Sequence, residues 1–168
     1  LQVIGMEPAV KPAAAMTRTK VVGILATPAT FQGRLFKATA GRHAADVTLI
    51  NQVCNGLAEL VERGDLDGPE AERMLRGFID PMLAAGADIN DALPDGASAL
   101  VVAAHSGHGG VAALLLEKGA DPNAADVGYT ALHAAVLRSD LDLVKSLLAH
   151  RANPNAQITK GTPVRRNS

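Results

Sequence analysis

The stretch AAGADINDALPDG, residues 84–96, contains a short motif that recurs twice further along the chain. GADIN at 86–90 returns as GADPN at 119–123 and as RANPN at 151–155, at spacings of 33 and 32 residues. A fixed period of this length is typical of repeat architectures, in which each repeat is one small supersecondary unit. The pattern predicts a turn and two short helices in each repeat from residue 86 onward.

The apolar residues between these motifs recur at the same period. In one repeat they are Leu100, Ala103, Ala104, Val111, Leu114 and Leu115, and in the next they are Leu132, Ala135, Val136, Leu143 or Val144, Leu147 and Leu148. Small residues on a first helix allow neighbouring repeats to stack closely, and leucines on a second helix fill the layer between them. We expect these residues to form the core between the repeats.

This second half of the chain resembles ankyrin repeats, which have a period near 33. The resemblance implies a short α-helical solenoid over residues 89–168, with two full repeats at about 91–155 and partial repeats at both ends. Thr130-Ala-Leu-His133 matches the family's Thr-Pro-Leu-His motif, with Ala131 in place of proline. In that family the threonine and histidine hydrogen-bond the turn backbone, so both are expected to be structural.

The first half alternates short β-branched runs with helical patterns, which favours an α/β fold built on a parallel sheet. We predict strands in LQVIGM, KVVGILAT and ADVTLIN, one continuous helix over PATFQGRLFKATAGR, and a long helix over 69–85. Residues 1–88 are thus expected to form a truncated α/β lobe of about three strands. The 69–85 helix is followed by Gly-Ala-Asp, as a second helix of a repeat is. We therefore expect one side of this helix to pack on the sheet and its end to form the N-terminal layer of the repeats.

Four segments of this half resemble glutamate racemase, of the Asp/Glu racemase family: 3–14, 21–36, 47–64 and 83–88. The resemblance implies proton transfer between two cysteine thiols on opposite faces of glutamate, which in bacteria supplies D-glutamate for the cell wall. The family's first cysteine lies in a Cys-Asn-Thr motif upstream of the matched region. The second lies in a Gly-Cys-Thr-His motif on the strand that should follow Asp88, where INDALPDG and the repeats stand instead. We therefore assign no catalytic residue, and expect a catalytically incomplete remnant.

Three residues of the racemase-like half are of the types that contact a substrate or act as a nucleophile. Thr27 and Thr30 match a Thr-x-x-Thr loop that lies near the substrate in racemases, and they are the weak candidates for a substrate-proximal remnant. Capping of the helix that begins there is the favoured interpretation, because a hydroxyl at an N-cap accepts from free backbone N–H groups. Cys54 aligns with a non-catalytic cysteine of the family, and a lone cysteine is usually a small buried hydrophobe.

Composition excludes several classes of function. The net charge is −1, from 16 basic and 17 acidic residues, and aromatic residues are few, so nucleic-acid binding is not expected. No apolar run approaches the roughly 20 residues that span a bilayer, and a single cysteine fits a reducing, cytoplasmic location. His105 and His108 lack further ligands for a metal. We expect no cofactor and no metal.

The candidate protein-binding residues are those that the repeat scaffold does not need. They are Tyr129, Arg138, Leu137, His105, Ser106 and Leu93. Tyr129 and Arg138 rank first, because tyrosine and arginine dominate interface hot spots. The sequence thus favours a non-enzymatic module that binds an unidentified protein partner. Two alternatives stay open: a glutamate racemase or related enzyme, and an artificial or recombined fusion, which the start at Leu1 rather than Met would fit.

Overall fold

The computed structural model describes residues 9–65 and 68–160. Within these ranges it contains helices and a two-stranded parallel sheet. The elements, in chain order, are α1 (Val10–Met16), β1 (Val21–Ala26), α2 (Pro28–Gln32), α3 (Arg34–His43), β2 (Thr48–Val53), α4 (Leu57–Glu62), α5 (Pro69–Ala84), α6 (Ala99–Ser106), α7 (Gly109–Glu117), α8 (Ala131–Leu137) and α9 (Leu141–Ala149). In the part of the chain so described, no helix has the length and apolar character to cross a membrane.

The chain divides into two compact units. Of the described residues, the first unit holds 9–63 and 74–88, and the second holds 64–65, 68–73 and 89–160. In the first unit β1 and β2 pair in parallel, with Val21 opposite Thr48 and Ala26 opposite Val53. Parallel pairing confirms the sheet expected from the βαβ pattern. The third strand, expected in LQVIGM, lies outside the described residues.

A small apolar cluster underlies the first unit, where α1 packs against α3. Its buried members are Val10, Ala14, Phe36 and Ala44, and the partly buried residues against it include Ile24 of β1 and Leu49 of β2. Burial of apolar side chains on both helices and strands is the main stabilising term for such a unit.

The single helix predicted over PATFQGRLFKATAGR is in fact two helices, α2 and α3, separated at Gly33. Gly33 has an extended backbone, with φ −61° and ψ 138°, and its N–H donates to the carbonyl of Thr30. The rings of Phe31 and Phe36 meet edge to face across this break, with their centroids 5.2 Å apart. Burial of Phe36 and this aromatic contact favour the bend over a continuous helix.

The second unit contains two successive helix pairs, α6 with α7 and α8 with α9. Corresponding helices of the pairs lie side by side, α6 against α8 and α7 against α9. Their buried residues form one cluster, with Leu100, Ala103, Ala104, Leu115, Ala135, Leu143 and Leu147 among its members. The expected packing between repeats is confirmed at these positions.

Two residues expected in this core are exposed instead. Val136 is 60% exposed and Leu148 is 44% exposed, whereas Ala104 and Leu116, 32 residues earlier, are 0% and 3% exposed. In the first helix pair, α8 and α9 cover these positions. Within the described residues no helix follows α9, so the equivalent positions of the second pair stay uncovered. The sequence period gives the position of a residue in its repeat but does not show whether a neighbour covers it.

Candidate protein-interaction site

Three of the predicted binding residues come together across the two helix pairs. The guanidinium of Arg138, at the C-terminal end of α8, donates from Nη1 to the backbone carbonyl of His105 in α6, at 3.1 Å. The rings of His105 and Tyr129 lie with their centroids 6.3 Å apart, at an angle of 39°. One repeat thus supplies His105, and the next supplies Tyr129 and Arg138.

Gly107 makes room for the guanidinium of Arg138. It ends α6 in the left-handed region, with φ +83°, where glycine carries no steric penalty. A Cβ atom at this position would collide with Nη2 and lie 2.5 Å from Cζ of Arg138. Sequence reasoning missed this role, because the sequence shows a glycine at position 107 but not the arginine that lies against it. The glycine therefore positions the arginine between the repeats.

Tyr129 and Arg138 differ in how firmly they are held. Tyr129 is half-buried and packs against the core of the second unit, which restricts the motion of its ring. Arg138 is exposed, and its guanidinium contacts the His105 carbonyl and lies against Gly107. A rigid aromatic ring beside a guanidinium with several unused donors can take both an apolar group and a carboxylate.

The other predicted binding residues are exposed but are not part of this cluster. Leu93 is 51% exposed at the tip of a turn closed by a hydrogen bond from its N–H to the carbonyl of Ala97, at 2.9 Å. Leu137 is 47% exposed at the end of α8, and Ser106 is exposed at the end of α6. These residues lie at the ends of first helices or in the turn before one.

The structural role expected for Thr130 and His133 is borne out by their hydrogen bonds. The backbone N–H of Thr130 donates to Nδ1 of His133 at 3.1 Å, and the Thr130 hydroxyl lies 2.9 Å from the same nitrogen. Nε2 of His133 lies 3.0 Å from the carbonyl of Ala156. Since Nδ1 accepts, the proton belongs on Nε2, which donates to Ala156. Both side chains are therefore committed to the scaffold.

Thr27 and Thr30 lie at the start of α2, where the weak substrate-proximal site was expected. Thr27 is the N-cap residue, but its side chain makes no capping hydrogen bond with the helix backbone. Instead the two hydroxyls lie 3.2 Å apart and hydrogen-bond each other at an exposed position. The favoured interpretation correctly placed Thr27 at the N-cap of α2, but the capping hydrogen bond that it predicted is absent.

Cys54 is buried at the end of β2, as expected of a structural cysteine. Its side chain is 7% exposed, and its thiol lies 3.6 Å from the carbonyl of Gln52. Burial raises the pKa of the Cys54 thiol, because removal from water disfavours the charged thiolate. A thiol of this kind is a poor base and a poor nucleophile at neutral pH.

Comparison with known proteins accounts for the second unit. The family model for ankyrin repeats, in three copies, matches residues 72–158, which is more than half of the chain. The chain belongs to the ankyrin-repeat family. The match begins inside α5, so the ankyrin pattern starts one helix before the two full repeats predicted from the sequence. His105, Tyr129 and Arg138 all lie within the ankyrin repeats.

The chain is also similar to glutamate racemases over about half of its length. It is 56% identical over 85 residues to a glutamate racemase of Pseudomonas putida, which covers 51% of this chain and 32% of that protein. It is 50% identical over 88 residues to one of Ectopseudomonas mendocina, which covers 52% of this chain and 34% of the relative. The chain spans about a third of the length of these relatives. A racemase-like part and ankyrin repeats thus share one chain.

Proposed function

We propose that this chain is a non-enzymatic protein-interaction module, in which ankyrin repeats at 89–168 form a short solenoid and residues 1–88 form a catalytically incomplete racemase-like lobe. The observation that supports this most is the cluster of His105, Tyr129 and Arg138. It joins two successive repeats, and it presents tyrosine and arginine, the residue types that dominate protein interfaces, with their side chains partly or fully exposed.

The chemistry of the cluster indicates what a partner must offer. The Tyr129 ring contributes apolar area that loses little conformational freedom on binding, and Arg138 has guanidinium donors beyond the one given to His105. Leu93 and Leu137 add exposed apolar surface in the same unit. A segment with an apolar side chain next to a carboxylate would match both properties.

The proposal is tested by quantitative capture with the full chain as bait. Proteins retained by the wild type are compared with those retained by Tyr129→Ala, Arg138→Ala and the control Lys145→Ala, which changes an exposed residue of α9 outside the cluster. Thermal unfolding confirms that each variant is folded. We expect at least one protein to be retained by the wild type and the control but lost from both cluster variants. Identical retention by all four baits would contradict the proposal.

The affinity of any retained protein then tests the hot spot itself. Truncation of a central tyrosine or arginine at an interface costs about 1.4 kcal/mol or more, which corresponds to a roughly tenfold rise in Kd. We expect a rise of this size for both Tyr129→Ala and Arg138→Ala, and no change for Lys145→Ala.

A second candidate function, glutamate racemisation, is favoured by the 56% identity to a racemase over 85 residues. It has less support because residues after Asp88 follow the ankyrin pattern instead of supplying the second thiol. Cys54, the single cysteine of the sequence, is buried with a raised pKa. A direct assay for proton exchange at the α-carbon of glutamate separates the two candidates.

A further inference from the structure

The turn between β2 and α4 joins an exposed asparagine to a glycine. Asn55 is exposed, and Gly56 follows it with φ +82° at the N-cap of α4. Among the residues that the structure describes, the Asn55 side chain forms no hydrogen bond, and the Gly56 N–H donates none. The carboxamide of Asn55 is therefore exposed to water, and neither it nor the Gly56 N–H has to break a hydrogen bond in order to react.

We propose that Asn55–Gly56 is a site of spontaneous deamidation. The backbone nitrogen of Gly56 loses its proton and attacks Cγ of Asn55, forming a new C–N bond. The bond from Cγ to the side-chain nitrogen breaks, and ammonia leaves with the proton, so a five-membered succinimide remains. Water then adds to one of the two ring carbonyls and opens the ring to aspartate or isoaspartate. The reaction consumes one water and releases one ammonia, and it needs no other reactant.

Glycine is what makes this attack feasible at residue 56. It has no Cβ, so nothing on the following residue shields its nitrogen, and its backbone visits conformations that other residues avoid. Asn55 and Gly56 lie in a turn, and the Gly56 N–H has no hydrogen bond that must break before its nitrogen faces Cγ.

The asparagines within the ankyrin repeats lack this combination. Both polar atoms of the Asn90 amide are held, by the Asp121 N–H at 2.8 Å and the Gly119 carbonyl at 3.4 Å. Asn123 is held in the same way by the backbone of the following repeat. Carboxamides fixed by two hydrogen bonds cannot turn towards their own chain without losing both.

Three further asparagines in the described ranges lack the following glycine. Asn51 lies within β2 and precedes Gln52. Asn153 precedes a proline, which has no N–H to ionise, and Asn155 precedes an alanine. Among the asparagines that the structure describes, the reaction should therefore be confined to Asn55.

Modification at this position changes both charge and backbone. Aspartate or isoaspartate replaces a neutral carboxamide, which makes the formal net charge of the chain more negative than its original −1. Isoaspartate also inserts a methylene group into the main chain, between the buried Cys54 and the start of α4. The racemase-like unit would thus acquire an altered strand-to-helix junction as the protein ages, while the described part of the ankyrin repeats stays unmodified.

The test incubates the full chain at mildly alkaline pH and physiological temperature, then locates the modification by peptide mass and by enzymatic methylation of isoaspartate. Among the peptides that cover residues 9–65 and 68–160, we expect a mass gain of about 1 Da, the exchange of an amide for an acid, only in the one that carries Asn55. The variant Asn55→Gln, whose longer side chain forms a ring less readily, should lose the signal. The matched control Asn51→Gln changes a neighbouring exposed asparagine and should retain it.

Gly56→Ala is a poorer test, because its φ of +82° disfavours any residue with a Cβ and that atom would lie 3.0 Å from Cε of Met74. Two results would overturn the proposal: an unmodified Asn55 after prolonged incubation, or isoaspartate formation in Asn51 or Asn155 at the same rate as in Asn55.

Discussion

The side chain of Asn123 holds the backbone of Asn153 in the next turn. Its Oδ1 accepts from the Asn153 N–H at 2.7 Å, and its Nδ2 donates to the carbonyl of Arg151 at 3.1 Å. Asn90 makes the equivalent pair of bonds one repeat earlier, to Asp121 and Gly119. The last residue of the recurring motif, at 86–90 and 119–123, therefore links one ankyrin turn to the next.

Removing this link should lower stability. We expect Asn123→Ala to reduce the free energy of unfolding by about 1–3 kcal/mol, since two hydrogen bonds are lost at about 0.5–1.5 kcal/mol each. Asn155→Ala is the matched control, because the Asn155 side chain makes no hydrogen bond with the residues described. Denaturant titration of both variants measures the difference. Equal midpoints would show that the link does not stabilise the repeats.

Ser139 offers a stabilising substitution. It has φ +61° at the position where the preceding repeat has Gly107, with φ +83°. A residue with a Cβ is disfavoured in this region, so Ser139→Gly should raise the free energy of unfolding by about 0.5–1 kcal/mol. Ser146→Gly, inside α9, should lower it by about 0.5 kcal/mol, because glycine is a poor helix former. Thermal unfolding should show Tm shifts of opposite sign, and a lower Tm for Ser139→Gly would contradict the explanation.

Adjacent leucines in α9 test the orientation of that helix. Leu147 is 0% exposed and Leu148 is 44% exposed. Leu147→Ala should cost about 2–5 kcal/mol, through lost burial and the cavity that it leaves. Leu148→Ala should cost less than about 1 kcal/mol, as is usual for a partly exposed residue. Similar losses from the two variants, measured by urea unfolding, would mean that α9 is rotated relative to the structure.

The environment of Cys54 predicts slow reaction of its thiol. Burial raises the pKa of this group, so the reactive thiolate is scarce at neutral pH. We expect alkylation of the folded chain to be at least about tenfold slower than alkylation of the chain in urea. The thiol of the unfolded chain ionises at lower pH, so the free energy of unfolding should fall as pH rises above the ordinary thiol pKa. Equal alkylation rates in the two states would contradict the burial of Cys54.

Much of this architecture follows from the sequence, because repeats and βαβ units have clear periods. The motif at 119–123 located the ankyrin turns, and β-branched runs located β1 and β2. The break at Gly33 could not be predicted, since it depends on the contact between Phe31 and Phe36. The exposure of Val136 likewise depends on whether another helix packs against it, which the sequence of its own repeat does not show.

The candidate site was predicted residue by residue but not as a cluster. Residue type and repeat position singled out Tyr129, Arg138 and His105. Their contacts depend on side-chain conformations at the junction of two repeats, which no periodicity encodes. The hydrogen bond from Arg138 to the His105 carbonyl is therefore information that only the structure supplies.

The most direct measurement of the central claim is proton exchange at the α-carbon of glutamate. The full chain is incubated with L-glutamate and then with D-glutamate in deuterated water, and loss of the Cα proton is followed by NMR beside a Cys54→Ser control. We expect no exchange above that control with either enantiomer, as a non-enzymatic module requires. Exchange by the wild type that the control lacks would show a working thiol and restore the enzyme interpretation around Cys54.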